Sequence, residues 1–426
     1  MRILFTTISE SSHILALTPM AWALSTAGHE VRVASAPAMI DTITSAGLTA
    51  VQVGKDHTMH ELLAQLSQQG GGAIENEMTD WSEPFADRLT WAQVLMKYQV
   101  GVPMGLQPYN EPIVDDLVEL ACEWQPDLII WDPLTYAGGV AARVAGVAHA
   151  RLTWGADIYS TMRSAFLELR DQQPLSQQQD PLGDWLARLL SAHGADFSEE
   201  VVTGQFTIDQ IPGSVQLPLA VDRVPVRYVP YNGRSVVPRW VAQRSGKRRV
   251  VVTSGSSFEA ALGATFLPIA AVLEGLADLD VEVIATLTAT ESAKLGTLPA
   301  NVRAVDFVPM QALLPTCSAI VHHGGFGTWS TAALNAVPQL MLPIRHADLW
   351  VRGSRMEAVG AGLSMHAPSV TAESARAAVR RLLDEPTFAV GAGRLRAEML
   401  ATPSPNEAVA EIERLVGRHL PAPVAV

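Results

Sequence analysis

The stretch His322-His323-Gly324-Gly325-Phe326-Gly327-Thr328 follows an apolar run, Ala319-Ile320-Val321, and precedes a segment with helical spacing. That order places a glycine-rich turn at the carboxyl end of a strand and the start of a helix. The free amides of a helix start form an anion site, glycines let a ligand approach the backbone, and a neighbouring imidazole supplies one more donor. A phosphate group, as in a nucleotide-sugar diphosphate, fits such a turn. An ordinary capped turn would share the pattern, so the rest of the chain has to decide between them.

Working outward, Val250-Val251-Val252-Thr253 opens a series of apolar runs that continues at Val281–Leu287, Val302–Val305, Ala319–Val321 and Gln339–Leu342. Helix-length segments separate these runs, the alternation of a parallel βα sheet. The first half repeats the grammar. Arg2–Thr6, Glu30–Ala34, Thr49–Val53, Asp127–Trp131 and Ala148–Thr153 read as strands, with helices expected over Leu15–Ala27, Val114–Cys122 and Gly138–Ala145. The proline-marked stretch from Val224 through Pro238 to Lys247-Arg248-Arg249 reads as a linker. The expected domains are therefore 1–223, a linker at 224–249, and 250–426, with the last helix packing back on the first domain. Two doubly wound halves of this kind bind ligands beyond the carboxyl ends of their strands, in a cleft between the halves. From about Gly70 to Asn110 the pattern dissolves into Gln, Gly, Glu and Trp and reads as a functional loop region. Asp171–Asp180, rich in Gln and Pro, reads as a mobile connection.

Composition agrees with two domains. With 426 residues and 48% hydrophobic content, the chain exceeds one typical core and suggests two domains of roughly 200 residues. A net charge of -13 disfavours nucleic acid and anionic membranes as partners. Only Cys122 and Cys317 are present, so a disulfide framework is not expected and a cytoplasmic location is. No metal-ligand cluster, signal peptide or membrane-spanning run is evident.

Four stretches give the chain a resemblance: "HILALTPMAWALSTAGHEVRVAS" near the start, "EEVVTGQFTID" and "RYVPYNGRSVVPRW" in the middle, and "DFVPMQALLPTCSAIVHHGGFGTW" around the glycine-rich turn. Together they resemble the GT-B fold glycosyltransferases of antibiotic biosynthesis, and more narrowly the macrolide and anthracycline deoxysugar transferases. The match covers nearly the whole chain. It implies inverting transfer of a deoxysugar from a dTDP-sugar to a hydroxyl of a polyketide aglycone, with no metal or other cofactor. It also implies a haem-free, cytochrome-like activator protein as a partner. Oligomeric state is left open, a homodimer included.

The resemblance implies that Phe307-Val308-Pro309 holds the nucleobase through its backbone, and that His323, Gly325, Gly327 and Thr328, with Phe326 in the same turn, hold the diphosphate. The matching turn Thr253-Ser254-Gly255-Ser256-Ser257 is expected beside the phosphates, with Ser254 among the donor residues. Thr331 stands where the wider family carries a ribose-binding Glu. Losing that carboxylate suits the 2'-deoxyribose of thymidine and favours dTDP over UDP. Asp348-Leu349 replaces an Asp-Gln pair that binds a fully oxygenated hexose. Leu349 suits a carbon without oxygen, and Asp348 is left to bind a remaining hydroxyl or an amine.

His13 follows the first strand and is the expected general base, because an imidazole ordinarily titrates close enough to neutrality to take a hydroxyl proton. Asp132, just after the strand ending at Trp131, is the expected orienting acid, with Asp157 as second candidate. Trp81, Met96, Met104 and Tyr136 are expected to contact a large apolar acceptor. Two rivals remain open on the sequence: a sugar-nucleotide epimerase of the same fold, and an inactive nucleotide-binding accessory subunit.

Overall fold

The computed structural model describes residues 1–59, 61–62, 65, 80–218, 221–243, 246–255 and 267–419. The chain divides into two compact units. The first comprises Met1–Ile211, Gln216–Tyr231 and the C-terminal stretch from Pro403, and the second comprises Pro212–Val215 with Asn232–Thr402.

Seven strands build the first sheet: β1 (Arg2–Thr6), β2 (Glu30–Ser35), β3 (Ala50–Gln52), β4 (Leu128–Trp131), β5 (Ala148–Thr153), β6 (Phe206–Asp209) and β7 (Asp222–Pro225). They lie parallel in the order β3-β2-β1-β4-β5-β6-β7. Helices cover both faces, so the central strands are buried on both sides and read as unbroken apolar runs such as Leu128-Ile129-Ile130-Trp131. The second unit repeats the plan with β8 (Arg248–Thr253), β9 (Val281–Thr286), β10 (Val302–Val305), β11 (Ala319–His322), β12 (Gln339–Met341) and β13 (Gly362–Ser364). Their order is β10-β9-β8-β11-β12-β13, again parallel.

In both sheets the chain starts near the middle, winds outward, and returns to the other side of its first strand. That reversal leaves a crevice at the carboxyl ends of two adjacent strands. The pairs are β1 with β4, where Thr6 stands opposite Trp131, and β8 with β11, where Thr253 stands opposite His322.

The stretch expected as a linker is divided. Val224 and Pro225 belong to β7, an edge strand, where the missing proline N–H costs no inner ladder bond. Val226 and Tyr228 are buried beyond it. The helix Pro405–His419 packs with the first unit, because Ala408, Val409, Ile412, Leu415 and Val416 form one apolar stripe against Ile14, Leu17, Ala21 and Leu24 of the helix Ser11–Thr26.

The region expected to be irregular up to Asn110 is helical over its second half. Trp91–Gly101 is an α-helix opened by a Thr90–Gln93 capping box, continued by a π-helical turn Val102–Leu106 and a short helix Gln107–Asn110. Residues 66–79 lie outside the described residues. Asp180, expected in a mobile connection, is held by both Nη atoms of Arg163 at 2.7 Å and caps the helix Pro181–Ala192.

Candidate active site

The β1/β4 crevice brings His13 and Asp132 together. His13 lies in the first turn of the helix Ser11–Thr26 and Asp132 directly follows β4, and the His13 Nδ1 stands 3.2 Å from Asp132 Oδ2. The carboxylate is also an acceptor for Thr7 Oγ1, for Thr135 Oγ1 at 2.9 Å, for the Leu134 amide at 2.8 Å and for the Ile8 amide at 3.3 Å. Burial pushes the Asp132 carboxyl up, but the imidazole of His13 and these donors outweigh it, so the group titrates below the usual carboxylate range. Asp132 is therefore an anion at neutral pH, and its acceptance fixes the proton of His13 on Nδ1. Nε2 is then the nitrogen with the free lone pair, the arrangement a general base needs.

Two neighbours escaped the sequence reading. Trp154, just past β5, lies tilted against the imidazole with ring centroids 4.6 Å apart. Gln210, just past β6, donates to the carbonyls of Ala16 and Thr153 at 3.3 and 3.2 Å and so ties the helix of His13 to β5. With His13, Asp132 and Leu152 they line a recess. Their one available signal was position, since each follows a strand end.

Asp157, the second candidate acid, is committed elsewhere. Arg151 grips it at 3.2 and 2.6 Å through two nitrogens, and its Oδ1 caps the helix Ile158–Asp171. Burying a carboxylate demands such a partner, and Arg151 on β5 was not foreseen as one. Of the expected acceptor residues, Trp81 is buried against Tyr98 and Tyr159, and Tyr136 is buried between Trp131 and Trp185. Both pack within aromatic clusters of this fold. Met104 packs beside Met59, while Met96 is exposed.

In the second unit the β8/β11 crevice holds the other group of residues. His323 is buried after β11, with the Ser254 backbone hydrogen-bonded to it. Gly255, at φ +72°, lies against the same ring, and a Cβ there would stand 2.5 Å from His323 Cε1. Burial, and then the charge of Arg352, push the imidazole down to about 4, so it is neutral at pH 7. Gly325 caps the helix Phe326–Leu334, placing Phe326, Gly327 and Thr328 in its first turn, all partly exposed. His322 locks the turn from behind: Gly324 N donates to its Nδ1 at 3.0 Å, and its Nε2 faces Gln339 Oε1 at 2.8 Å.

Thr331 is fully buried and its hydroxyl donates to the Gly327 carbonyl at 2.6 Å. The Val308 side chain is buried, whereas Phe307 is exposed. Ser254 Oγ donates to Glu291 at 3.2 Å, and Ser256 and Ser257 lie outside the described residues. Leu349 is buried at the start of the helix Leu349–Ala358, and Asp348 before it pairs with Arg352 at 2.7 Å. Asp348, expected to bind a hydroxyl or an amine, meets the Arg352 guanidinium along one edge. Among the described residues no three His, Cys, Asp or Glu side chains are grouped to hold a metal, and no helix is long and apolar enough to cross a membrane.

Comparison with known proteins decides the family. The domain family described as "Erythromycin biosynthesis protein CIII-like, N-terminal domain" matches residues 22–255, and its C-terminal counterpart matches residues 270–415. The chain belongs to the erythromycin biosynthesis protein CIII-like glycosyltransferases. Among relatives of this family, 10-deoxymethynolide desosaminyltransferase of Streptomyces venezuelae is 46% identical over 428 residues, covering 98% of each chain. Aclacinomycin-T 2-deoxy-L-fucose transferase of Streptomyces galilaeus is 45% identical over 427 residues, covering 98% of this chain and 97% of its own. The crystal structure of glycosyltransferase VinC in complex with dTDP superposes with a TM-score of 0.86 at 38% identity, covering 98% of this chain and 100% of that one. The expected GT-B class, with two doubly wound Rossmann-like domains, is the fold of the family and of this chain.

Proposed function

We propose that this glycosyltransferase moves a deoxysugar from a dTDP-sugar to a hydroxyl of a polyketide aglycone, a macrolide or an aromatic polyketide, with inversion and without a metal. The observation that carries the reading is the His13–Asp132 pair, in which Asp132 accepts the Nδ1–H hydrogen bond and leaves Nε2 as base. His13 removes the acceptor proton, the resulting oxygen attacks the anomeric carbon, and the diphosphate leaves with the bond electrons. The amides of Gly325 to Thr328 and the neutral His323 receive the charge that develops on it.

Thymidine is favoured because Thr331 spends its hydroxyl on the helix backbone and presents no carboxylate to a ribose 2'-OH. A deoxysugar is favoured because the apolar Leu349 stands beside Asp348. Relatives named as transferases of desosamine, mycaminose and 2-deoxy-L-fucose support the deoxysugar, and the dTDP complex of VinC supports thymidine. They do not favour the epimerase or accessory-subunit readings. The haem-free activator protein is supported by the family resemblance alone, and a cytoplasmic setting by the free cysteines Cys122 and Cys317.

The test is to incubate the protein with a panel of dTDP-deoxysugars and polyketide aglycones and to detect products by mass. Glycoside together with free dTDP, both requiring the aglycone, is the expected result. Release of dTDP at the same rate without any aglycone, or an isomerised nucleotide sugar, would discard transfer as the function. Within this reading, Asp132→Asn is expected to lower kcat by roughly 10–100-fold, since the amide no longer holds the proper tautomer of His13 as an anion does. A kcat within twofold of the parent enzyme would show that Asp132 merely shapes the turn.

A further inference from the structure

Arg352, so far the charge near His323 and the partner of Asp348, has a side chain only 1% exposed. A buried guanidinium needs partners on several sides. Its Nε donates to Asp348 Oδ2 at 2.7 Å and its Nη2 to Asp348 Oδ1 at 3.1 Å. The same Nη2 donates to the Gly324 carbonyl at 2.7 Å, and Cζ stands 5.5 Å from the centre of the Trp329 ring. One side chain thus joins the Asp348 carboxylate to the peptide that precedes the helix Phe326–Leu334.

The consequence for Gly325 follows from peptide geometry. A peptide unit is planar and trans, so the N–H of a residue points opposite to the carbonyl before it. Fixing the Gly324 carbonyl on Arg352 aims the Gly325 N–H away from the guanidinium. The other side of Gly324 is fixed as well, because its own N–H is held by His322. This glycine adopts φ +109°, and a Cβ on it would fall 2.1 Å from Met341 Cε, so the residue is confined by packing as well as by hydrogen bonds.

We propose that Arg352 is a positioning residue of the donor site, setting through one guanidinium both the direction of the Gly325 amide and the orientation of Asp348. The inference rests on the donor-site reading above. A planar fork is required for the task. Lysine supplies charge without the paired, rigid donors, so it cannot grip the carboxylate along one edge and reach the carbonyl with the same group.

The experiment compares Arg352→Lys with the parent enzyme in calorimetric titrations with dTDP and in steady-state kinetics with a dTDP-sugar. The Kd for dTDP is expected to rise roughly 10-fold, because one well-aimed donor is lost, and KM for the dTDP-sugar is expected to rise at least as much, with kcat changing less. A thermal melt runs alongside. If Arg352 only supported the fold, the melting temperature would fall while Kd and KM stayed within twofold, and that result overturns the inference. Should Arg352→Lys fail to fold, the double variant Asp348→Asn with Arg352→Met removes the pair without stranding a charge, and the same two outcomes apply to its dTDP affinity. If the parent enzyme itself binds no dTDP, the donor-site reading falls and the role of Arg352 falls with it, a result distinct from normal binding by both proteins.

Discussion

Replacement of His13 by alanine is expected to lower kcat for glycoside formation by about 10²–10⁴-fold, the usual contribution of a positioned general base, with dTDP affinity unchanged. The two halves of this expectation come from different parts of the chain. His13 belongs to the β1/β4 crevice of the first unit, whereas the candidate dTDP-binding residues surround β8 and β11 of the second. Collateral damage to the first unit is expected to be small. Asp132 loses one partner but retains Thr7, Ile8, Leu134 and Thr135, so its carboxylate stays satisfied. Calorimetry with dTDP and single-turnover assays with donor and aglycone supply the two readings. Turnover within a few-fold of the parent enzyme would remove His13 from the mechanism. Intact dTDP binding, with the biological effect of the chain also intact, would instead revive the accessory-subunit reading.

The parts of this fold that could be read from sequence are those whose burial is uniform. Strands covered on both faces, such as Val250-Val251-Val252 and Leu128-Ile129-Ile130, leave apolar runs that no polar side chain interrupts. β6 was missed because Thr207 and Asp209 alternate with its apolar residues. They are buried polar groups, and Asp209 is made tolerable by Thr153, Gln216 and Arg223, partners distant in sequence. The helix Trp91–Gly101 was hidden by the glycines, prolines and glutamines around it, although its Thr90–Gln93 capping box is a sequence signal in its own right.

The candidate site divides along the same line. His13, Asp132, Ser254 and His323 were legible because the strand-end rule needs only the strands and the residue after each. What holds these residues was not. Trp154 against His13, Gln210 across to Ala16, and Arg352 on Gly324 are contacts made by the finished fold, and a single sequence carries no mark of them. Asp157 shows the converse error. A carboxylate after a strand looked like chemistry, and the unrecognised Arg151 made it structure.

Mild acid is expected to destabilise this protein, and the second unit more than the first. Burial pushes the imidazoles of His149 and His323 down to about 4 and that of His322 to about 3, from an ordinary value near 6.5. Unfolded, each takes a proton as pH falls below 6.5; folded, each refuses it until about pH 3 to 4. The unfolded chain therefore binds more protons throughout that window, and stability present above pH 6.5 is lost as the solution is acidified. Each pH unit in the window costs about 1.4 kcal/mol per histidine, so at pH 5 the loss is about 2 kcal/mol for each of the three. His322 and His323 both lie in the second unit, giving it about 4 kcal/mol, a large share of the roughly 5–15 kcal/mol that holds a typical domain. In the first, His149 is joined by His29, whose imidazole is pushed down by burial and then by the neighbouring amino terminus. There Asp209, whose carboxyl burial pushes up despite Arg223, offsets part of the loss as acid reaches its range. Asp132 and Asp180 titrate below the usual carboxylate range, so the stability they add persists to lower pH and cannot blur the effect at pH 5. Pulse proteolysis across a urea gradient, at pH 7 and at pH 5, separates the units by the masses of surviving fragments. The urea midpoint for fragments containing β11 and the helix Phe326–Leu334 should drop further on acidification than the midpoint for fragments containing β4 and β5. Coincident curves at the two pH values would mean that the buried imidazoles of the second unit accept protons without opening the fold, and that the neutral state assigned to His323 in donor binding is wrong.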